Sequence, residues 1–362
     1  MEDKEFLKLL KESDPDYENE LAKTGFIDTG CYALNALISG SIYGGIPDNR
    51  VVAFAGEEAT GKTFFAMSAL KTFLENNPTG RVMYYDTEFA LDAEFFEKRG
   101  IDSKRVFISQ PVTLEDFRTK TTKFLNAYEK MPERKPLMFV LDSLGNLPSK
   151  KEIEDAEVGK DVRDMTKTQI IKSIFRILTQ KLGKLSIPMI TTNHTYAIIG
   201  AYVPTKEMSG GSGLKYAAST ILFLSKKKDK DGTDVVGNII RVKTDKSRFS
   251  KESQQVELRL DFKKGLDKYY GLLPLAEKYD IIKKVSTRYE LPDGTKVWGK
   301  DILKNPQKVF TQEILDQLDV AARKEYSLGD GSNDEDDTEL ELDDNFEEVE
   351  SEVENEETTT DE

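Results

Sequence analysis

The chain has 362 residues, 38% hydrophobic and 33% charged, which is enough to bury the core of one large or two modest domains. Its single cysteine, Cys31, excludes an intramolecular disulfide and fits a reducing compartment. The sequence contains neither a run of roughly 18 apolar residues, which spanning a bilayer requires, nor the pattern of a secretory signal, so we expect a cytoplasmic protein.

The net charge of −14 is distributed unevenly. Residues 330–362 contain 18 Asp or Glu and no Lys or Arg, whereas residues 1–329 contain 48 acidic and 52 basic residues, a balance of +4. The body is therefore mildly basic, which leaves nucleic-acid binding open. The acidic segment has too few apolar residues to offset the entropy lost on ordering, which predicts a disordered tail over 329–362.

The flanking regions differ in pattern from the middle of the chain. Residues 1–30 predict a short amphipathic helix and a linker, which docks on its own core or on a neighbouring subunit. Residues 31–269 are interpreted as the core domain. Residues 270–328 predict a small C-terminal domain with helical ends around a Gly- and Pro-marked middle that contains Trp298.

Between residues 51 and 262, short apolar runs alternate with helical patterns. The runs are continuously apolar, which is typical of strands buried on both faces, and the alternation predicts an α/β fold with a mainly parallel central sheet and a mixed or antiparallel edge. The apolar stripe of the helix at 164–184 indicates core packing rather than DNA contact. The predicted strands are 51–56, 82–87, 106–110, 137–143, 188–194, 219–225, 238–244 and 256–262, and the stripe comprises Ile171, Phe175, Leu178, Leu182 and Leu185.

A phosphate-binding motif, GxxxxGK[ST], lies between the first of these strands and a helical pattern. Its glycines let the backbone curl around phosphate oxygens, and the following helix directs the positive end of its dipole at them. We expect Lys62 to neutralise the β- and γ-phosphates of ATP and the Thr63 hydroxyl to ligate Mg²⁺. The motif comprises Gly56, Glu57, Glu58, Ala59, Thr60, Gly61, Lys62 and Thr63.

The second Mg²⁺ candidate is Asp142, which ends the apolar strand LMFVLD. A carboxylate at the carboxyl end of a buried strand can hold a water of the Mg²⁺ shell. Alone, such an aspartate is usually a turn former. Its pairing with an upstream phosphate loop favours the metal role.

Four segments resemble the RecA family of homologous recombinases, in that family's order and spacing, over about residues 25–262. They are TGFIDTG…GEEATGKT, YYDTEFALDAEFFEKRGID, VLDSLGNLPSKKEIEDAEVG and MITTNHTY…EMSGGSGLKYAAST. With the acidic tail, the overall resemblance is to the recombinases of T-even-type bacteriophages. It implies a RecA-like ATPase with an N-terminal polymerisation helix. Such a protein forms helical filaments on single-stranded DNA and catalyses homologous pairing and strand exchange in recombination and repair.

The resemblance also implies roles for individual residues. Glu88 matches the residue that activates the attacking water. His194, the only histidine, matches a γ-phosphate sensor, and a metal site is not expected there because no second His or Cys cluster exists. Lys246 and Arg248 match two basic residues that reach the neighbouring subunit's γ-phosphate. Asp92 and Phe95 match adenine contacts, and Phe64 completes the predicted nucleotide-binding residues.

Each of these assignments has a plainer alternative. Glu88 could be a solvated loop acid, Phe95 an ordinary core residue and His194 a structural side chain. Lys246 and Arg248 could belong to a surface basic run. The sequence alone leaves these alternatives open.

Two segments, about 149–163 and 195–213, match the family's DNA-binding loops. A binder without sequence specificity needs charge neutralisation and apolar or backbone contacts more than base-edge readout. The resemblance implies single-stranded and duplex DNA, further copies of the chain, and single-strand-binding and mediator proteins as partners, with no membrane. The candidate DNA contacts are Lys150, Lys151, Arg163, Ile198, Ile199, Gly200, Tyr202, Lys206, Gly210 and Gly211.

Two other functions share parts of this pattern. A hexameric RecA-fold helicase or motor has the same phosphate loop, Mg²⁺ carboxylate and basic residues donated by a neighbour. A non-catalytic recombination mediator would bind ATP and a partner. The presence of Glu88 together with Lys246 and Arg248 argues against the mediator, and the lack of a substantial extra domain argues weakly against the helicase.

Overall fold

A computed structural model describes residues 3–13, 24–160, 164–197, 206–208 and 212–329. Within these ranges no helix is long and apolar enough to cross a membrane. The strands are β1 (Phe26–Ile27), β2 (Ile46–Pro47), β3 (Val51–Gly56), β4 (Arg81–Asp86), β5 (Val106–Ser109), β6 (Leu137–Asp142), β7 (Met189–Ala197), β8 (Lys206–Met208), β9 (Thr220–Asp231), β10 (Asp234–Ser247), β11 (Gln255–Asp261), β12 (Gly265–Leu266), β13 (Lys283–Val285), β14 (Arg288–Glu290) and β15 (Lys296–Trp298).

The helices account for most of the remaining described chain. They are α1 (Asp3–Ser13), α2 (Tyr32–Ser39), α3 (Lys62–Asn76), α4 (Ala93–Glu97), α5 (Leu114–Glu129), α6 (Lys150–Glu157), α7 (Lys167–Leu185), α8 (Ser212–Ala217), α9 (Leu272–Lys278), α10 (Gly299–Lys304), α11 (Pro306–Val309) and α12 (Gln312–Tyr326), with 3₁₀ turns at Ser103–Arg105 and Leu144–Asn146.

One large sheet organises the described residues, with the strand order β12-β11-β10-β9-β3-β7-β6-β4-β5 and β8 paired to β7. The six strands from β9 to β5 run parallel, and β10, β11 and β12 form an antiparallel edge. Every residue of β3 and β6 is buried, as expected for strands covered on both faces. The predicted α/β fold class, mainly parallel with an antiparallel edge, is confirmed.

Two apolar clusters cover the two faces of the sheet. On one face α2 and α3 pack against strand residues such as Phe54 and Tyr84. On the other face α5, α7 and α8 pack against residues such as Phe139. All five residues of the predicted α7 stripe are buried, so the core-packing interpretation is confirmed. The helix begins at Lys167 rather than at 164 and ends at Leu185.

A third apolar cluster brings α2 together with the C-terminal elements. Ala36 and Ile42 pack with residues of α9, α10 and α12, including Leu318, and with Phe310, which follows α11. Asp319 of α12 accepts hydrogen bonds from the Ser41 hydroxyl and the Ile42 amide. The C-terminal elements therefore share a core with the start of the predicted core domain. The boundary drawn at residue 270 remains a prediction.

Side-chain caps explain where several helices begin. The Thr113 hydroxyl accepts the hydrogen bond that starts α5, and Thr311 does the same for α12. Ser149 and Glu152 form a reciprocal capping box at the start of α6. The segment predicted as a DNA-facing loop over 149–163 is therefore helical over α6. The capping pattern, Ser followed three residues later by Glu, is visible in the sequence.

Candidate nucleotide-binding and catalytic site

The candidate site lies at the edge of the sheet that is formed by the carboxyl ends of four parallel strands, β3, β4, β6 and β7. Gly56 of β3 is in register with His194 of β7, and Asp86 of β4 with Asp142 of β6. Since the carboxyl ends of neighbouring parallel strands lie side by side, residues far apart in the chain meet there. This edge brings together the phosphate loop and most of the predicted catalytic residues.

Backbone conformation shapes the phosphate loop. Gly61, the residue before α3, has φ of 89°, which a side chain would strain, and Ala59 also adopts a positive φ of 56°. A Cβ at Gly56 would lie 2.6 Å from the Thr60 hydroxyl oxygen. Gly61 is therefore required by its backbone conformation, and Gly56 by the close approach of Thr60. The loop leads directly into α3, whose N-terminus favours anions.

Lys62 is buried at the first position of α3, with 7% of its surface exposed. Its Nζ donates hydrogen bonds to the carbonyl oxygens of Gly56 at 3.0 Å and Glu57 at 2.8 Å. Burial lowers the pKa of Lys62, and the negative charges of Asp142 and Glu88 partly offset this effect. The ammonium group is thus held inside the loop that the motif predicts to bind phosphate.

Asp142 and Thr63 meet as the predicted magnesium ligands should. The Thr63 hydroxyl donates to Asp142 Oδ2 at 2.7 Å. The Tyr84 hydroxyl donates to the same oxygen at 2.7 Å, and the Thr192 hydroxyl donates to Oδ1. Burial, reinforced by the charge of Asp142, raises the pKa of Tyr84, so the phenol keeps its proton and acts as a donor.

The donor set fits Mg²⁺. It consists of hydroxyl and carboxylate oxygens, which this hard cation prefers, and Mg²⁺ commonly binds through one or two protein oxygens plus phosphates and water. The described residues contain no group of three or more His, Cys, Asp or Glu side chains suited to an all-protein metal site. Thr63 and Asp142 therefore suit an ion that arrives with a nucleotide.

Glu88 projects from the turn after β4 toward the turn after β6. Its Oε1 accepts a hydrogen bond from Asn146 Nδ2 at 3.1 Å, and the Ser143 hydroxyl lies 3.4 Å away. His194 Nε2 is 3.5 Å from the same oxygen. The side chain is 40% exposed, so water can reach it while three protein groups restrict its position.

The backbone before Glu88 is fixed by two polar residues. The buried Asp86 accepts hydrogen bonds from the amides of Glu88 and Leu91. The Thr87 hydroxyl donates to the Ser143 carbonyl and accepts from the Ser143 amide, both at 2.8 Å. The turn that carries Glu88 is thereby tied to the turn that follows Asp142.

His194 lies within β7 and not at its end. The strand continues to Ala197, and Thr195, Tyr196 and Ala197 pair with β8. The prediction that His194 ends its strand is wrong, because pairing with β8 extends β7. His194 nevertheless lies between Gly56, its register partner, and Glu88.

The predicted adenine contacts cluster on α4 beside α3. Asp92 caps α4 by accepting a hydrogen bond from the Phe95 amide at 2.8 Å. The Arg99 guanidinium stacks 3.5 Å from the Phe95 ring centre and 5.2 Å from that of Phe64. Arg99 and Phe64 line a cavity of about 470 Å³ together with Phe262, whose ring is 57% exposed. Phe95 is also packed against the core, so both interpretations of it are compatible with its position.

Lys246 and Arg248 lie away from the phosphate loop of their own chain. Lys246 pairs with Ile221 of β9, three residues before the β9 residue that pairs with Gly56. Arg248 lines a small cavity with Asn49 and Arg50, which precede β3. Both residues therefore lie toward the amino ends of the parallel strands, whereas Gly56 lies at the carboxyl end of β3. Lys246 Nζ donates to the carbonyls of Lys215 and Tyr216.

The DNA-contact candidates are only partly described. Lys150 and Lys151 lie in the first turn of α6, where both are exposed. Four acidic residues share this helix, so the two lysines do not form a wholly basic surface. Lys206 begins β8. The candidates Arg163, Ile198, Ile199, Gly200, Tyr202, Gly210 and Gly211 lie outside the described residues.

Sequence reasoning missed several residues of this site. Tyr84 and Thr192 read as ordinary strand residues, and only the strand order places both next to Asp142. Asn146 lies four residues after Asp142, in the turn where polar residues are common. Phe262 follows β11, and no motif marks it. Only Asn146 carried a usable signal, since it closely follows a candidate metal ligand.

Comparison with known proteins identifies a matching family model and several similar proteins. A family model for the RecA N-terminal domain matches residues 15–267. The Recombination and repair protein of Enterobacteria phage T4 is 33% identical over 283 residues, covering 76% of this chain and 71% of that protein. Protein RecA of Clavibacter michiganensis is 29% identical over 83% of this chain and 81% of its own length. Protein RecA of Syntrophus aciditrophicus is 29% identical, with shares of 83% and 84%.

Proposed function

The chain belongs to the RecA family, whose members are ATP-dependent recombinases and DNA-dependent ATPases, and from this premise we propose how it works. It binds ATP with Mg²⁺ at the edge formed by β3, β4, β6 and β7, and it polymerises as a helical filament on single-stranded DNA. The observation that carries the proposal is the convergence of Lys62, Asp142 and Glu88 at this edge.

The site residues divide the work of hydrolysis. The loop backbone and Lys62 bind the β- and γ-phosphates, where Lys62 exchanges its contacts with Gly56 and Glu57 for phosphate oxygens. Thr63 and Asp142 would hold Mg²⁺, which supplies charge neutralisation on the phosphates. Glu88 orients a water and accepts its proton. His194, which contacts Glu88, reports the state of this carboxylate to β7.

The adenine lies beside α3 and α4. Aromatic and guanidinium faces favour stacking on a purine. The Arg99 guanidinium already lies over the rings of Phe95 and Phe64 there, and the exposed Phe262 ring lines the cavity with Arg99 and Phe64. Asp92 offers its second carboxylate oxygen to the exocyclic amine, because Oδ1 accepts from the Phe95 amide. Phe262 is thus added to the residues inferred from the resemblance.

DNA binding falls to the segments that follow β6 and β7. Lys150, Lys151, Arg163 and Lys206 supply phosphate contacts, and Ile198, Ile199 and Tyr202 supply apolar contacts to unstacked bases. Gly200, Gly210 and Gly211 allow the backbone to approach the DNA closely. Partners beyond DNA and further copies of the chain, namely single-strand-binding and mediator proteins, are part of the same proposal, as is action in the cytoplasm of the host of a bacteriophage.

The proposal is tested by measuring ATP turnover with and without single-stranded DNA and imaging the same samples by electron microscopy. We expect DNA to stimulate turnover and open helical filaments to form on DNA. A Lys62→Ala variant, which lacks the phosphate-binding ammonium, serves as the control without turnover. Closed six-membered rings that unwind duplex DNA would instead identify a helicase, and nucleotide binding without turnover would identify a mediator.

The acidic segment 330–362 is expected to compete with DNA phosphate for the basic body of the protein. Deleting it should tighten binding to single-stranded DNA at least about threefold at low salt, and screening should abolish the gain near 1 M salt. The measurement is fluorescence anisotropy of labelled DNA. A variant in which every acid of the segment is replaced by Asn or Gln separates charge from length. Equal affinities for all three proteins would identify the segment as an inert extension.

A further inference from the structure

Three hydroxyl groups from different elements donate to one carboxylate in this protein. Thr63 at the start of α3 and Tyr84 on β4 both donate to Asp142 Oδ2 at 2.7 Å. Thr192 on β7 donates to Oδ1. Asp142 is 5% exposed, and Tyr84 and Thr192 are fully buried. Tyr84 and Thr192 flank Asp142 because their strands, β4 and β7, are the sheet neighbours of β6.

The Tyr84 hydroxyl is not needed for packing. The ring lies in the apolar cluster on the α3 face and meets Phe96 edge-on, with centroids 6.0 Å apart. Phenylalanine would fill the same space without a polar atom. A buried hydroxyl is tolerated only when it is hydrogen-bonded, and its partner here is Asp142. The role of the hydroxyl must therefore be sought at the carboxylate.

The three donors limit what else Asp142 can bind. An ionised carboxylate offers about four acceptor positions, and the three hydroxyls occupy three of them. The remaining capacity suits one further donor, such as a metal-bound water. Bidentate coordination of a cation would require a hydroxyl to be displaced, because only one acceptor position remains. Mg²⁺ retains several waters when it binds proteins, whereas Ca²⁺ prefers direct and often bidentate carboxylates.

We propose that Tyr84 is a positioning residue that keeps Asp142 as an acceptor for a metal-bound water and thereby favours Mg²⁺ over Ca²⁺. The inference rests on the proposed function, because the cation arrives with the nucleotide. Thr192 assists from the other side of Asp142. Tyr84 acts through Asp142 alone and is not itself a catalytic residue.

The test is the Tyr84→Phe variant, compared with the unmodified full-length chain. The concentrations of Mg²⁺ and of Ca²⁺ that give half-maximal binding of a fluorescent, slowly hydrolysed ATP analogue are measured, together with the melting temperature. Loss of one hydrogen bond to a charged group should raise the Mg²⁺ requirement about tenfold. The Ca²⁺ requirement should stay within about threefold of its value for the unmodified chain. Removing the hydroxyl frees an acceptor position on Asp142, and the bidentate coordination that this allows offsets the weaker positioning of the carboxylate.

A matched control lies one residue away. Tyr85 is as buried as Tyr84 but points to the opposite face, where its ring packs against Phe117 and Phe139. The Tyr85→Phe variant should lower the melting temperature to a similar extent and leave the ratio of the Mg²⁺ and Ca²⁺ requirements unchanged. A purely structural role for Tyr84 predicts the same behaviour for both variants.

Several results would overturn the inference. One is a Tyr84→Phe protein whose Mg²⁺-to-Ca²⁺ ratio equals that of the unmodified chain. If Tyr84→Phe does not fold, Thr192→Val removes the donor at Oδ1 and must shift the ratio in the same direction. An unmodified chain that binds the analogue independently of any cation would refute the proposed magnesium site and this inference together. A Mg²⁺-dependent chain with an unshifted variant refutes this inference alone.

Discussion

Replacing Glu88 with glutamine is expected to slow DNA-stimulated ATP hydrolysis by at least about 100-fold, the lower end of what a positioned general base contributes. Glutamine has nearly the same shape, and its carbonyl oxygen can still accept the hydrogen bond from Asn146. It cannot take a proton from water. ATP binding should persist, because the hydrogen bonds of Lys62 and Thr63 do not involve Glu88.

The measurements are steady-state turnover on single-stranded DNA and equilibrium binding of a fluorescent ATP analogue. Glu94→Gln is the matched control, since Glu94 is an exposed acid on α4 that pairs with Lys98. That variant should retain turnover within about twofold, as surface substitutions usually do. If Glu88→Gln hydrolyses ATP at the normal rate, Glu88 is not the base. If binding and turnover fall together, Glu88 instead supports nucleotide binding.

The sequence could predict the elements of this site better than its geometry. The phosphate loop, the strand before it and the position of Asp142 at a strand end follow from local patterns, because buried parallel strands and loop glycines leave strong signals. The predicted family and recombinase function are confirmed by the relatives, and the fold class by the sheet. The individual roles of the site residues remain predictions.

Contacts between residues that are distant in the chain could not be predicted from the sequence. The ring of donors around Asp142 depends on strand order, which places β4 and β7 beside β6 although they are distant in the chain. The strand predicted over 188–194 ends at His194. The pairing of β7 with β8 is a tertiary effect that extends the strand beyond the apolar residues.

Tertiary pairing also explains why the hairpin of β9 and β10 is longer than the sequence predicts. The apolar runs predicted strands over 219–225 and 238–244, but β9 continues to Asp231 and β10 begins at Asp234. Lys226, Lys227 and Lys228 are exposed within β9, because the hydrogen bonds of the hairpin extend the strands into residues that bury no apolar surface. Strand pairing here overrides the low strand preference of lysine.

The second large effect concerns Lys246, whose replacement by alanine should nearly abolish DNA-stimulated hydrolysis. A cation donated by a neighbouring subunit can contribute about 10³–10⁵ in rate. Lys246 lies toward the sheet edge opposite to the phosphate loop of its own chain, a position that suits contact with a neighbouring subunit in a filament. Nucleotide binding by isolated subunits should be unchanged, and equal loss of binding would show that Lys246 acts in its own site.

The matched control is Lys251→Ala. Lys251 is exposed and donates to the Lys324 carbonyl, as Lys246 donates to the carbonyls of Lys215 and Tyr216. Its replacement should leave turnover within about twofold. Burial and the charge of Arg248 lower the pKa of Lys246, so its positive charge is lost at a lower pH than that of an ordinary lysine. Turnover should therefore decline on the alkaline side before the usual range of lysine is reached.

Mixing the two inactive variants tests directly whether the site is shared between subunits. A Glu88→Gln chain retains Lys246, and a Lys246→Ala chain retains Glu88. In a random one-to-one filament, about one quarter of the head-to-tail interfaces combine both intact residues and should hydrolyse ATP. If Lys246 acted on its own nucleotide, no chain in the mixture would carry a complete site. Turnover would then stay at the level of the separate variants, and Lys246 could not be assigned to the neighbouring subunit's site.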